Sequence, residues 1–272
     1  MQKHPRNTEF TWVDHTGPLR FLSEEQARDY DRNGYLILED AFTRETVASL
    51  IEELDPLEAE FEGFLREKLG GKAFIARADE ITFSVHPVLR SPRAEAFTRH
   101  SVFQGLVHDL IGPDVRLYWD QAVYKKPGTA DRFPWHQDNG YTYIEPQQYL
   151  TCWVALTDTD EENGCPLIAP GLHREGTYQH TLTDLGFEVF SKPPSEPVTV
   201  PLRAGSVAVF SSLTPHMTGP NLSTDRLRKA YIVQFAPDGA TTVANGMGAE
   251  SETTCDAEGR QYPVLVDGAA PT

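Results

Sequence analysis

The chain predicts a mainly β fold with flanking helices, built on a double-stranded β-helix, a jelly roll of cupin-like shape. Three observations lead there. Beyond Pro113 the sequence breaks into short runs rich in Val, Ile, Tyr, Trp and Thr, at 115–119, 149–156, 198–200, 206–210 and 230–235, separated by clusters of Gly, Pro, Asn and Asp. That is the texture of strands and turns. No segment between successive strands carries a helical pattern long enough for a parallel crossover, so the strands pair antiparallel. Helical patterns are confined to the first hundred or so residues, so helices pack on one side of the sheets. A jelly roll hides strand edges and leaves a ligand-sized mouth.

In chain order, residues 1–22 read as extended and loosely attached. Ser23 with Gln26 forms a capping box, and the helix it opens runs to about Asn33, where Gly34 ends it. Residues 35–38 read as a short strand. Thr43 caps a second helix with Val47, Leu50, Ile51 and Leu54 at helical spacing. Pro56 breaks or kinks it, and 57–69 resumes the pattern until Gly70-Gly71. Glu52, Glu53, Glu58, Glu60, Glu62 and Glu67 read as its solvated face. Residues 75–85 form a strand region. Ser91-Pro92 opens a third helix with proline in the first turn, and 102–111 continues helically to Gly112-Pro113. Residues 160–164 form a turn, and 238–272 read as loop with at most one short strand, at 262–266. A length of 272 residues suits one catalytic domain: a mostly helical flank (1–113), a jelly-roll core with the metal site (114–237) and a C-terminal tail (238–272).

Forty acidic against twenty-four basic residues give a net charge of −16. A field of that sign repels nucleic acid and anionic membranes, and it counts against a polyanionic substrate such as a coenzyme A ester. The expected partner is a small-molecule substrate; nothing in the chain sets an oligomeric state. No apolar run is long enough to span a bilayer, and no apolar stretch follows the charged N-terminus. Cys152, Cys165 and Cys255 are scattered without metal spacing, which fits a reducing cytoplasm.

The chemistry concentrates in Trp135-His136-Gln137-Asp138-Asn139-Gly140. On a strand His136 and Asp138 point the same way and Gln137 points away. With the distant His216 they make two imidazoles and one carboxylate, the facial set that holds non-haem iron and leaves positions open. His-x-Asp alone is a weak motif. Here Phe133, Trp135, Tyr141 and Tyr143 crowd it, and an arginine follows His216 by a dozen residues. His86, His108 and His180 have no carboxylate at two-residue spacing, and His173, in its Pro-Gly-x-His turn, reads as the brace of a turn.

Three segments carry a family likeness: Lys126-Pro127-Gly128 leading into Pro134-Trp135-His136-Gln137-Asp138; Asn163-Gly164-Cys165-Pro166-Leu167-Ile168-Ala169-Pro170-Gly171-Leu172-His173; and His216-Met217-Thr218-Gly219-Pro220-Asn221 with Ser223 and Arg228-Lys229-Ala230. In order and spacing they resemble the phytanoyl-CoA dioxygenase family of iron(II)- and 2-oxoglutarate-dependent oxygenases, over about half the chain. Leu172 stands where that family usually has Ser, and Ser206 where it often has an acid; neither is a ligand position.

The resemblance implies the same jelly-roll core, Fe(II) on His136, Asp138 and His216, and 2-oxoglutarate and O2 as cosubstrates. The far carboxylate of 2-oxoglutarate needs a cation with fork geometry. Arg226 and Arg228 compete, and Arg228 is preferred because Arg228-Lys229-Ala230 matches the family motif. By the same likeness Gln137, Trp153 and Thr218 map to cosubstrate contacts, with Gln121 a further candidate. The implied reaction oxidises, most simply hydroxylates, a C–H bond of a small, partly apolar molecule while 2-oxoglutarate is decarboxylated to succinate. Asp138 keeps a full carboxylate where a halogenating relative needs a small residue. Asn139, Tyr141 and Tyr143 are expected to edge the substrate mouth, and 177–194 to form a lid. Two other classes share the barrel. A cupin-type isomerase or epimerase has no need of the arginine beyond His216, and in a non-catalytic ligand-binding jelly roll the metal set would be free to decay.

Overall fold

Ser23 and Gln26 form a reciprocal cap: the Gln26 amide donates to the Ser23 hydroxyl at 3.1 Å and the Ser23 amide to the Gln26 side chain at 2.9 Å. The helix they open, α1 (Glu24–Asn33), stops at Gly34, whose φ of 80° favours glycine. The computed structural model describes residues 1–244 and 251–271. After α1 come β1 (Tyr35–Leu38), α2 (Arg44–Lys68), β2 (Lys72–Ala73), β3 (Ala76–Arg77), β4 (Ile81–Val85), α3 (Pro92–Thr98) and α4 (Ser101–Leu110). The strands of the second half are β5 (Val115–Lys125), β6 (Phe133–His136), β7 (Tyr143–Glu145), β8 (Leu150–Ala155), β9 (Pro166–Ile168), β10 (Thr181–Thr183), β11 (Gly186–Glu188), β12 (Val198–Thr199), β13 (Val207–Ser211), β14 (His216–Thr218), β15 (Arg228–Pro237), β16 (Thr241–Ala244), β17 (Ser251–Thr254) and β18 (Pro263–Leu265).

Two antiparallel sheets make the jelly-roll core. The larger runs β1-β13-β8-β15-β5-β4-β3-β2, with β18 also on β5; the smaller runs β12-β9-β14-β6. Alternation along the central strands decides what each face buries. Cys152, Val154, Val207, Val209, Tyr231, Val233 and Phe235 face out and pack against Leu50, Leu54, Phe97, Phe103, Leu106 and Val107 of the helices. Trp153, Ala155, Ala208, Phe210, Ala230 and Ile232 face in, against Ile168 and Val200 of the smaller sheet side. Each fully buried large apolar side chain stabilises by about 1.5–3 kcal/mol, so the helical layer is what keeps the larger sheet's outer face dry. Among the described residues no helix is long and apolar enough to cross a membrane.

Five expectations need correction. The flank is not mostly helical, since β1 pairs with β13 and β4 with β5; the first hundred residues supply strands that cover the edges of the larger sheet. Pro56 sits inside α2, which runs on to Lys68 without a break. Residues 1–22 are tied down: the Asn7 amide donates to the Glu175 and Thr177 carbonyls, the Trp12 indole to Asp31, and the Asp109 carboxylate accepts the amides of Arg20, Phe21 and Leu22. Glu58 and Glu62 are buried rather than solvated, with the Lys126 ammonium 2.9 Å from Glu58 and 3.2 Å from Glu62. Among the described residues the tail holds three strands, not one: β16 joins β17 and β7, and β18 joins β5.

Candidate metal centre

The two histidines meet because their strands pair. In the β14–β6 ladder His216 stands opposite His136, and the ring centroids lie 4.2 Å apart. Strand β6 ends at His136. Asp138 begins a single 3₁₀ turn, Asp138–Gly140, so a turn rather than strand alternation brings its carboxylate back. Asp138 Oδ1 lies 3.6 Å from His136 Nε2 and 3.8 Å from His216 Nε2, and the three ligand atoms lie within 4.8 Å of one another.

Hydrogen bonds behind the ligands fix what they present. His136 Nδ1 is 2.8 Å from the Pro134 carbonyl and His216 Nδ1 is 3.0 Å from the Thr214 carbonyl. A carbonyl only accepts, so each Nδ1 carries the hydrogen and each Nε2 offers a lone pair. The Thr151 hydroxyl donates to Asp138 Oδ2 at 2.6 Å, and the Gln234 amide donates to Thr151 Oγ at 3.2 Å, which leaves Oδ1 facing the rings. Burial pushes His216 down to about 4, so it is neutral at neutral pH. Burial opposes the charge of Asp138, but His216, His136 and the Thr151 hydroxyl outweigh it and hold the carboxyl below the usual carboxylate range. Two imidazole nitrogens and a carboxylate oxygen thus converge. Such a cluster repels itself unless a cation fills it, and N/O donors with oriented outer partners suit iron(II).

Arg228 opens β15 and is fully buried. Among the described residues none of its three guanidinium nitrogens has a hydrogen-bond partner, and its carbon lies 5.5 Å from the centre of the Trp153 ring. Burial pushes it down to about 10, which leaves it charged at neutral pH. An uncompensated buried charge costs several kcal/mol, so these orphaned donors fit an anion the chain itself does not supply, such as a carboxylate. Arg226 is already committed, to Asp160 at 2.6 and 3.0 Å and to Glu162 at 2.6 Å. Trp153 and Thr218 are both buried, Trp153 on the inner face of β8 and Thr218 two residues past His216 on β14. Gln121 lines the cavity described below and accepts from the Trp119 indole.

Three predicted site residues lie elsewhere. Gln137 is fully buried on the far side of its strand: its amide donates to the Gly176 and Leu213 carbonyls, and its oxygen accepts from the Tyr178 amide. It clamps three loops and has no donor or acceptor atom left for a cosubstrate. Asn139 is fully buried too, bonded to Thr177 and to both backbone groups of Ile144. Tyr143 stacks on His4 with centroids 4.6 Å apart, away from the cavity. Replacing Gln137 with Leu strands three buried backbone groups at about 1–3 kcal/mol each. A fall of at least about 3 kcal/mol in denaturant stability is expected, while the protein that remains folded binds 2-oxoglutarate normally. A stable variant with weakened cosubstrate binding would restore Gln137 to the site.

A cavity of about 450 Å³ opens over the metal ligands. His136 and Asp138 form its base; Phe61, Phe74, Phe83, Phe133, Tyr141 and Phe187 supply most of its walls, with Trp119, Gln121 and Gln234 at the side. Its lining among the described residues includes no Lys or Arg. The β10–β11 hairpin, within the segment read as a lid, brings Phe187 to 5.2 Å from Tyr141 and 6.1 Å from Phe74. Sequence reasoning missed Phe61, Phe74 and Phe83; of these only Phe83 left a trace, inside the strand region at 75–85. His173 braces its turn against α1, through Nε2 at 3.1 Å from the Asp31 carbonyl.

Comparison with known proteins agrees with this geometry. A relative named "Probable alpha-ketoglutarate-dependent hypophosphite dioxygenase", from Stutzerimonas stutzeri, is 27% identical over 234 residues, 79% of each chain. The ectoine dioxygenase of Bordetella parapertussis is 28% identical over 235 residues, 74% of this chain and 71% of its own. The solved structure of the non-heme alpha ketoglutarate dependent carbocyclase SnoK from nogalamycin biosynthesis superposes with a TM-score of 0.69 at 27% identity, over 85% of this chain and 91% of that one. Residues 30–230 match the family model for phytanoyl-CoA dioxygenase. The chain belongs to the phytanoyl-CoA dioxygenase family, and it is an Fe(II)- and 2-oxoglutarate-dependent dioxygenase.

Proposed function

We propose that the protein hydroxylates an unactivated C–H bond of a small, neutral, largely apolar molecule. The observation that carries this is the cavity: its base is the metal-ligand pair His136 and Asp138, its walls are aromatic, and no cation lines it among the described residues. An anionic substrate would meet a net charge of −16 with no Lys or Arg in the cavity lining, among the described residues, to offset it. An apolar one replaces wall water at a gain that scales with buried area.

Iron and 2-oxoglutarate, when bound, would let O2 act as the oxidant: one oxygen atom would end in the hydroxylated substrate and the other in succinate, with CO2 released from 2-oxoglutarate. The chain's own part is positional. His136, Asp138 and His216 would hold the metal and leave it coordination positions for the cosubstrates. Thr151 and Gln234 keep the carboxylate turned toward it. Arg228 receives the distal carboxylate of 2-oxoglutarate with its unpartnered fork. Phe133, Tyr141 and Phe187 keep water from the reacting carbon. A cupin-type isomerase that takes no 2-oxoglutarate, or a binding protein on the same barrel, has no use for a buried, orphaned guanidinium. We place the reaction in one catalytic domain spanning residues 1–272 and in the cytoplasm, where the three buried, unpaired cysteines stay reduced.

The test starts without oxygen. Iron(II) and 2-oxoglutarate added to the protein should produce a weak visible charge-transfer band. Admitting air should then release succinate, faster with neutral polycyclic or terpenoid candidates than with anionic ones. Phe187→Ala should raise the KM of an apolar substrate about 10- to 100-fold and leave 2-oxoglutarate affinity unchanged. Faster turnover of anionic substrates, or an unchanged KM, would sink the neutral-substrate reading.

A further inference from the structure

Lys125 is a second cation buried beside Arg228. It is 1% exposed, Arg228 is 0% exposed, and the two stand directly opposite each other in the β15–β5 ladder. Like charges facing across an antiparallel pair repel, and burial strengthens the repulsion. Neither takes part in an ion pair among the described residues. Among the described residues the Arg228 guanidinium has no hydrogen-bond partner. Lys125 Nζ donates to the Gly219 carbonyl at 2.6 Å and to the Asp131 carbonyl at 3.3 Å. Two donors are what a neutral amine has; an ammonium has three.

The other charged groups around Lys125 are few. From β3, Arg77 faces it, itself held by Glu80 and by the Asp131 carboxylate at 3.4 Å. Its other ladder neighbour, on β4, is the apolar Ile81, and the end of β14 offers only the Gly219 carbonyl. Cys165, beside Arg228, has its thiol pushed up to about 11 by burial and is neutral. Burial, then Arg228 and Arg77, hold the Lys125 ammonium well below the usual lysine range, and Asp131 opposes them only in part.

We propose that Lys125 completes the cosubstrate site: neutral while the site is empty, it takes up a proton when the distal carboxylate of 2-oxoglutarate arrives, and its third N–H then donates to that carboxylate alongside Arg228. The balance is one proton from solvent to the Lys125 amine for each 2-oxoglutarate bound; no other bond changes. The proposal rests on the reading that Arg228 receives this carboxylate. The sign follows from linkage. The bound anion raises the Lys125 pKa, so between the empty and bound values binding consumes a proton and weakens about tenfold per pH unit as pH rises.

Calorimetric titration of the oxygen-free, Mn(II)-loaded protein, in buffers of different ionisation enthalpy, counts the protons. 2-Oxoglutarate is expected to bind with uptake of close to one proton. 2-Oxobutyrate, which has the keto acid but no distal carboxylate, is expected to bind with none. Lys125→Gln keeps two N–H donors for the Gly219 and Asp131 carbonyls. It should bind 2-oxoglutarate about 10- to 100-fold more weakly, with no proton uptake and a flat pH profile. Binding by the wild type without proton exchange overturns the role of Lys125 and leaves Arg228 in place; that measurement does not depend on the variant folding. Failure of the wild type to bind 2-oxoglutarate at all overturns both readings.

Discussion

His216→Ala is expected to abolish turnover and to leave the protein without stoichiometric iron. The three ligand atoms lie within 4.8 Å of one another, and with His216 gone only two remain to hold a hydrated ion. Loss of a mere outer-shell partner lowers metal affinity about 10- to 100-fold, so loss of a ligand should exceed about 100-fold. Thermal unfolding separates this from simple damage. A ligand at a hundred times its dissociation constant stabilises the native state by about 2.7 kcal/mol, so iron(II) should raise the melting temperature of the wild type. Deleting a buried ring lowers the baseline of the variant, but that penalty is the same with and without metal. What the variant should lose is the increment. An iron-induced rise that survives His216→Ala would mean that the ion sits elsewhere, and the chemistry assigned to this cavity would go with it.

The metal site was readable because each of its parts obeys a local rule. His136 and His216 sit on strands, and pairing of those strands puts one opposite the other. Asp138 was placed by strand alternation, yet it lies on a turn; the prediction reached the right neighbours by a path the chain does not take. Alternation did hold for Gln137, which points away as the strand rule requires. Its assignment to the cosubstrate came from sitting inside a motif, and adjacency in a motif says nothing about direction. Asn139 and Tyr143 failed for the same reason. The wall that sequence reasoning missed includes Phe61 on α2, Phe83 on the five-residue β4, and Phe74 between two strands of two residues, too short for any period to show.

The acidic face of α2 teaches a different lesson. Leu54, Glu58, Glu62 and Leu65 follow one another at helical spacing, so the period that marks the buried stripe included two glutamates. Side-chain type overruled position in the reading. Position was right, because Lys126, in the turn after β5, reaches both carboxylates. That partner is more than sixty residues away and no local pattern announces it.

Arg228→Met should give a more stable protein that no longer binds its cosubstrate. The guanidinium is fully buried with three unpartnered nitrogens, and a buried charge without compensation works against folding. Methionine has similar reach and no charge to desolvate, so the melting temperature of the empty protein should rise. Binding should move the other way. Removing one partner of a buried, hydrogen-bonded ion pair costs about 3–5 kcal/mol, which is roughly 100- to 5,000-fold in the dissociation constant of 2-oxoglutarate. Keto acids lacking the distal carboxylate should lose nothing. Arg228→Lys should recover only part of the loss, because an ammonium cannot present two parallel donors to one carboxylate. The two opposite signs make the prediction hard to satisfy by accident. A residue kept for structure would destabilise when removed, and a residue kept for neither purpose would leave affinity unchanged. Only a group held under strain for an incoming anion should raise stability and lower affinity in the same substitution.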